Sequence, residues 1–149
     1  MRQINYDLVS AMRPEYIQYK GDCTEIIYES RETYTAEKNV NSVIKTMAHY
    51  YCTDLKANRK NYGDKLTIKN LIPIIFSDKH ILVAYKARKP DCKRDGAYGY
   101  IDYYKYSHIE KGEINYIVLT NGIKLELHQK PKQFEDRIIA ARLLSKEKR

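Results

Sequence analysis

Apolar and polar positions alternate most cleanly in INYIVLTNGIKLELH, residues 114–128, where two alternating runs flank Asn121-Gly122. A two-residue Asn-Gly loop supplies the positive φ angles of a type I′ turn, whose twist suits paired strands, so this stretch predicts a β-hairpin. Its second strand sets Ile123, Leu125 and Leu127 on one face and Lys124, Glu126 and His128 on the other. A second hairpin is predicted over EYIQYKGDCTEIIYE, residues 15–29, with the bend at Gly21-Asp22 and Ile17, Tyr19, Ile26 and Tyr28 in alternating places. In residues 36–51 the period becomes helical: Val40, Val43, Ile44, Met47, Ala48 and Tyr51 fall on one face. Thr35 can cap that helix, and Glu37 complements the positive end of its dipole. Residues 66–85 return to short β-rich runs, LTI, LIPIIF and HILVAY. Pro73 cannot donate to a sheet ladder, so the second run is expected to be an edge or bulged strand. From Pro131 a second helix places Phe134, Ile138, Ala141 and Leu144 along one stripe. This order predicts an α+β fold, a mainly antiparallel sheet of hairpins with two amphipathic helices, and the 149 residues fit a single domain over 1–149.

Charge narrows the functional classes. Lys and Arg number 27 against 19 Asp and Glu, a formal net charge of +8, which favours partners that carry phosphates. Two stretches concentrate this charge. LKANRKNYGDK, residues 55–65, clusters Lys56, Arg59, Lys60 and Lys65 with Asn58, Asn61 and Tyr62. KARKPDCKRDGAYGYIDYYKY, residues 86–106, opens with Lys86, Arg88, Lys89, Lys93 and Arg94 and closes on tyrosines. Long cationic side chains mixed with Asn and Tyr suit phosphate neutralisation, and each stretch reads equally well as a loop kept soluble by its charge. The tyrosines from 98 to 106 cover both faces of a strand; core packing is the favoured reading, with base stacking as the other.

Other chemistries find little support. Cys23, Cys52 and Cys92 form no CxxC pair, which argues against a disulfide framework or a zinc ribbon and suits a reducing compartment. His49 and Cys52 stand three apart at a helix end, and one such pair is not a metal site. No nucleophile elbow, P-loop, HExxH or GxGxxG occurs. Asp91 followed by Glu113 or Glu126 has the outline of a metal-dependent nuclease pair, but neither glutamate is followed two residues on by Lys. The expectation is a protein without enzymatic activity, cofactor or metal. The N-terminal residues lack the apolar run of a signal peptide, and no apolar stretch approaches the roughly 20 residues of a membrane helix, so a cytoplasmic protein with no membrane partner is expected.

In this order the pieces resemble the ComK family of competence transcription factors. CTEIIYE at 23–29 resembles an early strand of that family, MAHYYC a helix that runs into paired aromatics, and LIPIIF with HILVAY a strand pair. Pro90-Asp91-Cys92 resembles a Pro-x-Cys element, Tyr100-Ile101-Asp102 a Trp-Ile-(Ser/Asn), IVLTNGIKLEL an (I/V)-T-F-x-N-G hairpin, and Gln133-Phe134-Glu135 the opening of the last helix. Where the family carries Gly-Ser-Ser-(Tyr/Phe)-x-Gly-Arg, this chain reads Cys52 to Lys60, and the final basic residues match. The resemblance implies a sequence-specific activator of DNA-uptake genes that binds double-stranded, A/T-rich DNA mainly through the minor groove. It also implies a homo-oligomer and capture by an adaptor of the Clp protease. Lys56, Asn58, Arg59, Lys60, Lys86, Arg88, Lys89, Lys93 and Arg94 are the candidate DNA contacts, with Lys56, Arg59 and Lys60 first. The rival expectation is an interaction module that modulates a full-length regulator without binding DNA.

Overall fold

The structure, a computed structural model, describes residues 4–68, 70–88 and 97–147, with Glu147 described by its backbone alone. Among the described residues nine strands form two antiparallel sheets. Six of them, β1 (Val9–Ile17), β2 (Gly21–Tyr28), β3 (Thr33–Ala36), β4 (Ile74–Ser77), β5 (His80–Lys86) and β6 (Tyr98–Asp102), pair in the order β3-β2-β1-β6-β5-β4. The other three, β7 (Tyr106–Glu110), β8 (Asn115–Leu119) and β9 (Lys124–Leu127), pair in sequence order. With the helices α1 (Val40–Tyr50), α2 (Leu55–Leu66) and α3 (Pro131–Glu147), this is the α+β class the patterning predicts.

The six-stranded sheet is covered on both faces. Met12, Ile26 and Leu82 face Val43, Ile44, Met47 and Ala48 of α1. Ala11, Ile27, Val83 and Ile101 face Phe134, Ile138, Ala141 and Leu144 of α3 together with Ile117, Leu119 and Leu125 of the small sheet. Two-sided burial explains why β5 reads as an unbroken apolar run, because neither of its faces meets water. Each such Ile, Leu or Met adds about 1.5–3 kcal/mol of burial.

Local chemistry shifts several boundaries from those the pattern predicts. The first hairpin bends at Gln18–Lys20, ahead of Gly21-Asp22: Ile17 pairs with Gly21, and the Lys20 amide donates to the Ile17 carbonyl at 3.0 Å. Asp22 is therefore a strand residue. In the hairpin at 114–128 the loop has three residues, since the Leu119 amide bonds the Ile123 carbonyl and the Gly122 amide the Leu119 carbonyl. Only Gly122 of that loop has positive φ, 87°, so the turn is the three-residue form with a left-handed glycine and not type I′. Thr35 does not cap α1, because residues 33–36 pair with β2; Asn39 does, accepting from the Ser42 amide at 2.9 Å. The LTI run is no strand: Leu66 ends α2, and Thr67 follows in the left-handed conformation at φ 55°. β4 is an edge strand with an irregular register between Ile75 and Ser77, as Pro73 predicts.

The largest departure is residues 55–65, expected as a contact loop and found as α2. Asp54 caps it, its carboxylate accepting from the Ala57 amide at 3.0 Å, and Leu55, Tyr62 and Leu66 supply a narrow apolar edge. Gly63 sits where the helix meets the Ile72 side chain, 2.7 Å from where a Cβ would lie. Asn58, one of the expected DNA contacts, is committed to the fold. It is buried, and its amide donates to the Pro73 carbonyl at 3.1 Å while its side-chain oxygen accepts from the Ile75 amide at 3.1 Å. Its side-chain nitrogen and oxygen are thus both bonded to the backbone at Pro73 and Ile75.

A polar cluster, exposed at Asp7 and Tyr50 and buried at His80 and Asp102, joins α1 to the sheet. Tyr50 and Tyr51 donate to the two carboxylate oxygens of Asp7 at 2.8 and 2.7 Å. The Tyr51 oxygen lies 3.1 Å from His80 Nδ1, so Nδ1 carries the hydrogen that completes this bond. On the other side of the ring, Nε2 faces Asp102 Oδ2 at 3.8 Å, while Oδ1 accepts from the amides of Ile81 and Tyr104. Burial pushes the Asp102 carboxyl up to about 7, against the pull of those amides and of Lys105, with Glu29 adding to the rise. Burial pushes the His80 imidazole down to about 4, with Asp7 opposing it and Lys105 assisting. The folded pair holds its proton on the acid.

Two outcomes follow from these contacts. Asn58→Ala leaves a carbonyl and an amide without partners inside the protein and is expected to cost about 2–4 kcal/mol in denaturant unfolding. For the buried pair the signs oppose. A raised Asp102 favours the fold below about 4 and loses that advantage as pH rises to about 7. A lowered His80 favours the fold above 6.5 and loses that advantage as pH falls to about 4. Between these limits the folded chain carries one proton on Asp102 and the unfolded chain one on His80, so the pair leaves stability flat. Asp102→Asn should expose the histidine alone, with stability rising between pH 4 and 6.5; a flat profile in that variant would contradict the assignment.

Candidate nucleic-acid interface

The site begins at an edge that β4 leaves open. Its pairing with β5 ends at Leu82, so among the described residues the outer edge of Ala84–Lys86 has no strand beside it. Backbone groups there need other partners. The segment between β9 and α3 provides them: the Lys86 amide donates to Gln129 Oε1 at 2.9 Å, the Lys86 carbonyl accepts from the His128 amide at 2.8 Å, and Arg137 Nη1 donates to the Ala84 carbonyl at 3.3 Å. Arg137 also reaches Gln129 Oε1 at 3.3 Å. Its guanidinium carbon lies 5.7 Å from the centre of the Tyr98 ring, within cation–π range.

Tyr98 is the wall shared by three adjoining clefts. The largest, about 970 Å³, runs between α1, α2 and β6 and is lined by Lys45, Arg59, Asn70, Tyr100 and Arg137 among others. A second, about 700 Å³, passes Lys86, His128, Lys130 and Asp136 and shares Arg137 with the first. The third, about 260 Å³, lies against Asp22, Arg88 and Tyr100. Arg59 of the first basic stretch and Lys86 and Arg88 of the second therefore line clefts that meet at Tyr98. Burial raises the pKa of the Tyr100 hydroxyl, while Arg137 and Arg59 pull against that rise, which places both guanidinium groups in its field.

Most cations elsewhere that have carboxylate partners pair across the sheets or between loops. Arg13 meets Glu25 at 3.0 Å, Lys20 meets Glu37 at 2.6 Å, Lys105 meets Glu29 at 2.9 Å and Lys124 meets Glu110 at 2.9 Å. Around the clefts, Lys45, Arg59, Lys86 and Lys130 have no carboxylate partner among the described residues. The acids that line the clefts are Asp22 and Asp136. The resulting rim has unneutralised positive charge, available to an anion.

The expected contacts divide accordingly. Lys56, Arg59 and Lys60 are exposed on α2 at helical spacings of three and four, so they project from neighbouring positions of a rigid element. Arg59 enters the largest cleft. Lys86 and Arg88 are half-buried at smaller clefts, and Arg88 is tied to Asp22 at 3.0 Å. Lys89, Lys93 and Arg94 lie outside the described residues, as do Pro90, Asp91 and Cys92. The tyrosines split: Tyr98 and Tyr100 line clefts, whereas Tyr103, Tyr104 and Tyr106 pack against the core beneath the small sheet. Arg137, Lys130 and Lys45 were not among the expected contacts. In sequence Arg137 is one charge between Phe134 and Ile138 on an amphipathic helix, and nothing local marks it as different from Lys132 or Arg142.

Among the described residues no group of three or more His, Cys, Asp or Glu side chains is placed to hold a metal ion, and no helix is long and apolar enough to cross a membrane. No curated protein and no solved structure matches the chain. The family model described as ComK protein matches residues 7–148, nearly the whole sequence. The hairpins, the paired aromatics at the end of α1 and the final helix all lie within that span, and the chain belongs to the ComK family, competence transcription factors.

Proposed function

We propose that this protein activates DNA-uptake genes by binding A/T-rich double-stranded DNA, mainly through the minor groove, as a homo-oligomer on paired sites. The observation that carries the reading is the convergence of Arg59 of α2, Lys45 of α1, Lys86 of β5 and Arg137 of α3 around Tyr98, with none of these cations neutralised by a carboxylate among the described residues. An A/T tract has a narrow minor groove of enhanced negative potential, and Arg and Lys side chains are drawn to it. Lys56 and Lys60 extend the same charge along the exposed side of α2, where they meet backbone phosphates. The helix places these groups at fixed spacing, which lowers the ordering cost that a mobile loop would carry. α1 carries a single Lys or Arg, Lys45, which makes it a poor reader of the major groove, so a recognition helix there is not part of the reading.

Affinity for an A/T-rich duplex is expected to fall steeply with salt, and each phosphate contact removed should flatten the log–log slope by about 0.9. Replacing Arg59 and Lys60 together by Ala should weaken binding and flatten the slope by about 1.8, with stability within about 0.5 kcal/mol of the parent, because neither side chain supports the fold. Salt titrations by fluorescence anisotropy, with a thermal melt of each variant, provide both measurements. An affinity that does not change with salt, or no binding at low salt, would sink the proposal.

A further inference from the structure

The largest cleft holds polar side chains that the fold does not use. Asn58 and one nitrogen of Arg137 are committed to structural bonds. By contrast, Lys45, Arg59, Asn41, Asn70 and the hydroxyls of Tyr98 and Tyr100 make no hydrogen bond or ion pair within the described chain. A volume of about 970 Å³ is at the upper end of what small-molecule sites enclose. Phosphates on a duplex are displayed on convex ridges and need only exposed cations such as Lys56 and Lys60. A recess walled by two half-buried tyrosines with idle hydroxyls, and rimmed by idle amides, goes beyond that need.

We propose that this cleft binds a free nucleoside phosphate. Its base lies against the Tyr98 and Tyr100 rings, the amides of Asn41 and Asn70 meet the base edge, and the phosphate is held by Arg59 and Arg137 with Lys45 alongside. Each part has its own physical warrant. Tyrosine faces stack bases of any kind, Asn amides pair with base edges, and guanidinium groups hold phosphate through paired N–H donors. Arg137 is pre-oriented for this role, because its bonds to the Ala84 carbonyl and to Gln129 fix one side of the guanidinium. Since Arg59 also belongs to the DNA surface, an occupied cleft would lower DNA affinity and make the protein responsive to nucleotide concentration. The inference goes beyond the DNA-binding reading and does not rest on it.

Calorimetric titration of the full chain with adenosine 5′-monophosphate, adenosine and inorganic phosphate tests the assignment. The monophosphate should bind at least about tenfold more tightly than either fragment, and Arg59→Gln, Tyr98→Leu and Asn70→Ala should each weaken it, Arg59→Gln by about tenfold or more. Asn70 is exposed and its side chain makes no bond among the described residues, so that variant remains informative if Tyr98→Leu unfolds. Adenosine 5′-monophosphate should also weaken binding of an A/T-rich duplex. If it binds no better than phosphate, or equally well to Arg59→Gln and Asn70→Ala, the nucleotide site is wrong. Duplex binding without monophosphate binding overturns this proposal and leaves the DNA reading standing. Monophosphate binding that the variants weaken, without any duplex binding at low salt, does the reverse.

Discussion

Every polar backbone group of β5 must find a partner in a setting that excludes water. Residues His80 to Tyr85 are buried, packed against α1 on one face and against α3 with the small sheet on the other. On one side β6 completes the ladder along Leu82–Lys86. On the other, β4 is too short and stops at Leu82. The donors and acceptors that remain are met by Gln129, the His128 amide and Arg137, which brings the start of α3 and its charge to the strand end. The cationic clefts follow from this repair of an open edge. Arg137 is drawn there by a carbonyl, and Tyr98 lies under the same guanidinium.

A comparable economy governs α2. A helix with few apolar side chains does not dock well through hydrophobic contact alone. Here the N-cap Asp54 and the two bonds from Asn58 to β4 supply the attachment that its narrow edge of Leu55, Tyr62 and Leu66 leaves incomplete. The same polar composition leaves Lys56, Arg59 and Lys60 free to face solvent. Because Asn58 fixes the helix to the Pro73–Ile75 backbone, the cations move with the edge of the sheet.

How much of this can be read in the sequence depends on the range of the interactions. The amphipathic stripes of α1 and α3 and the hairpin at 114–128 show in local periodicity, because there the burial of one face decides the conformation. The course of 55–65 does not, since its helix rests on a cap and on an Asn whose partners lie 15 and 17 residues away. Thr35, the cap that local sequence suggests, is displaced because its segment pairs with β2, Thr24 with Ala36 among others, and the cap falls to Asn39. For the candidate interface, the basic stretches are visible as charge, but their meeting at Tyr98 is a property of strand order. Arg137 and Lys45 join them through packing alone, and no spacing rule selects one lysine or arginine on a helix over another.

The His80–Asp102 pair has a consequence for the heat that accompanies unfolding. In the range where the folded chain keeps a proton on the acid and the unfolded chain keeps one on the imidazole, unfolding carries that proton from one side chain to another within a single molecule. The buffer takes no part in the transfer. For these two groups the enthalpy of unfolding is therefore the same in any buffer over that range, and it includes the difference between the ionisation heats of a carboxylic acid and an imidazole, stored in the fold as the location of one hydrogen.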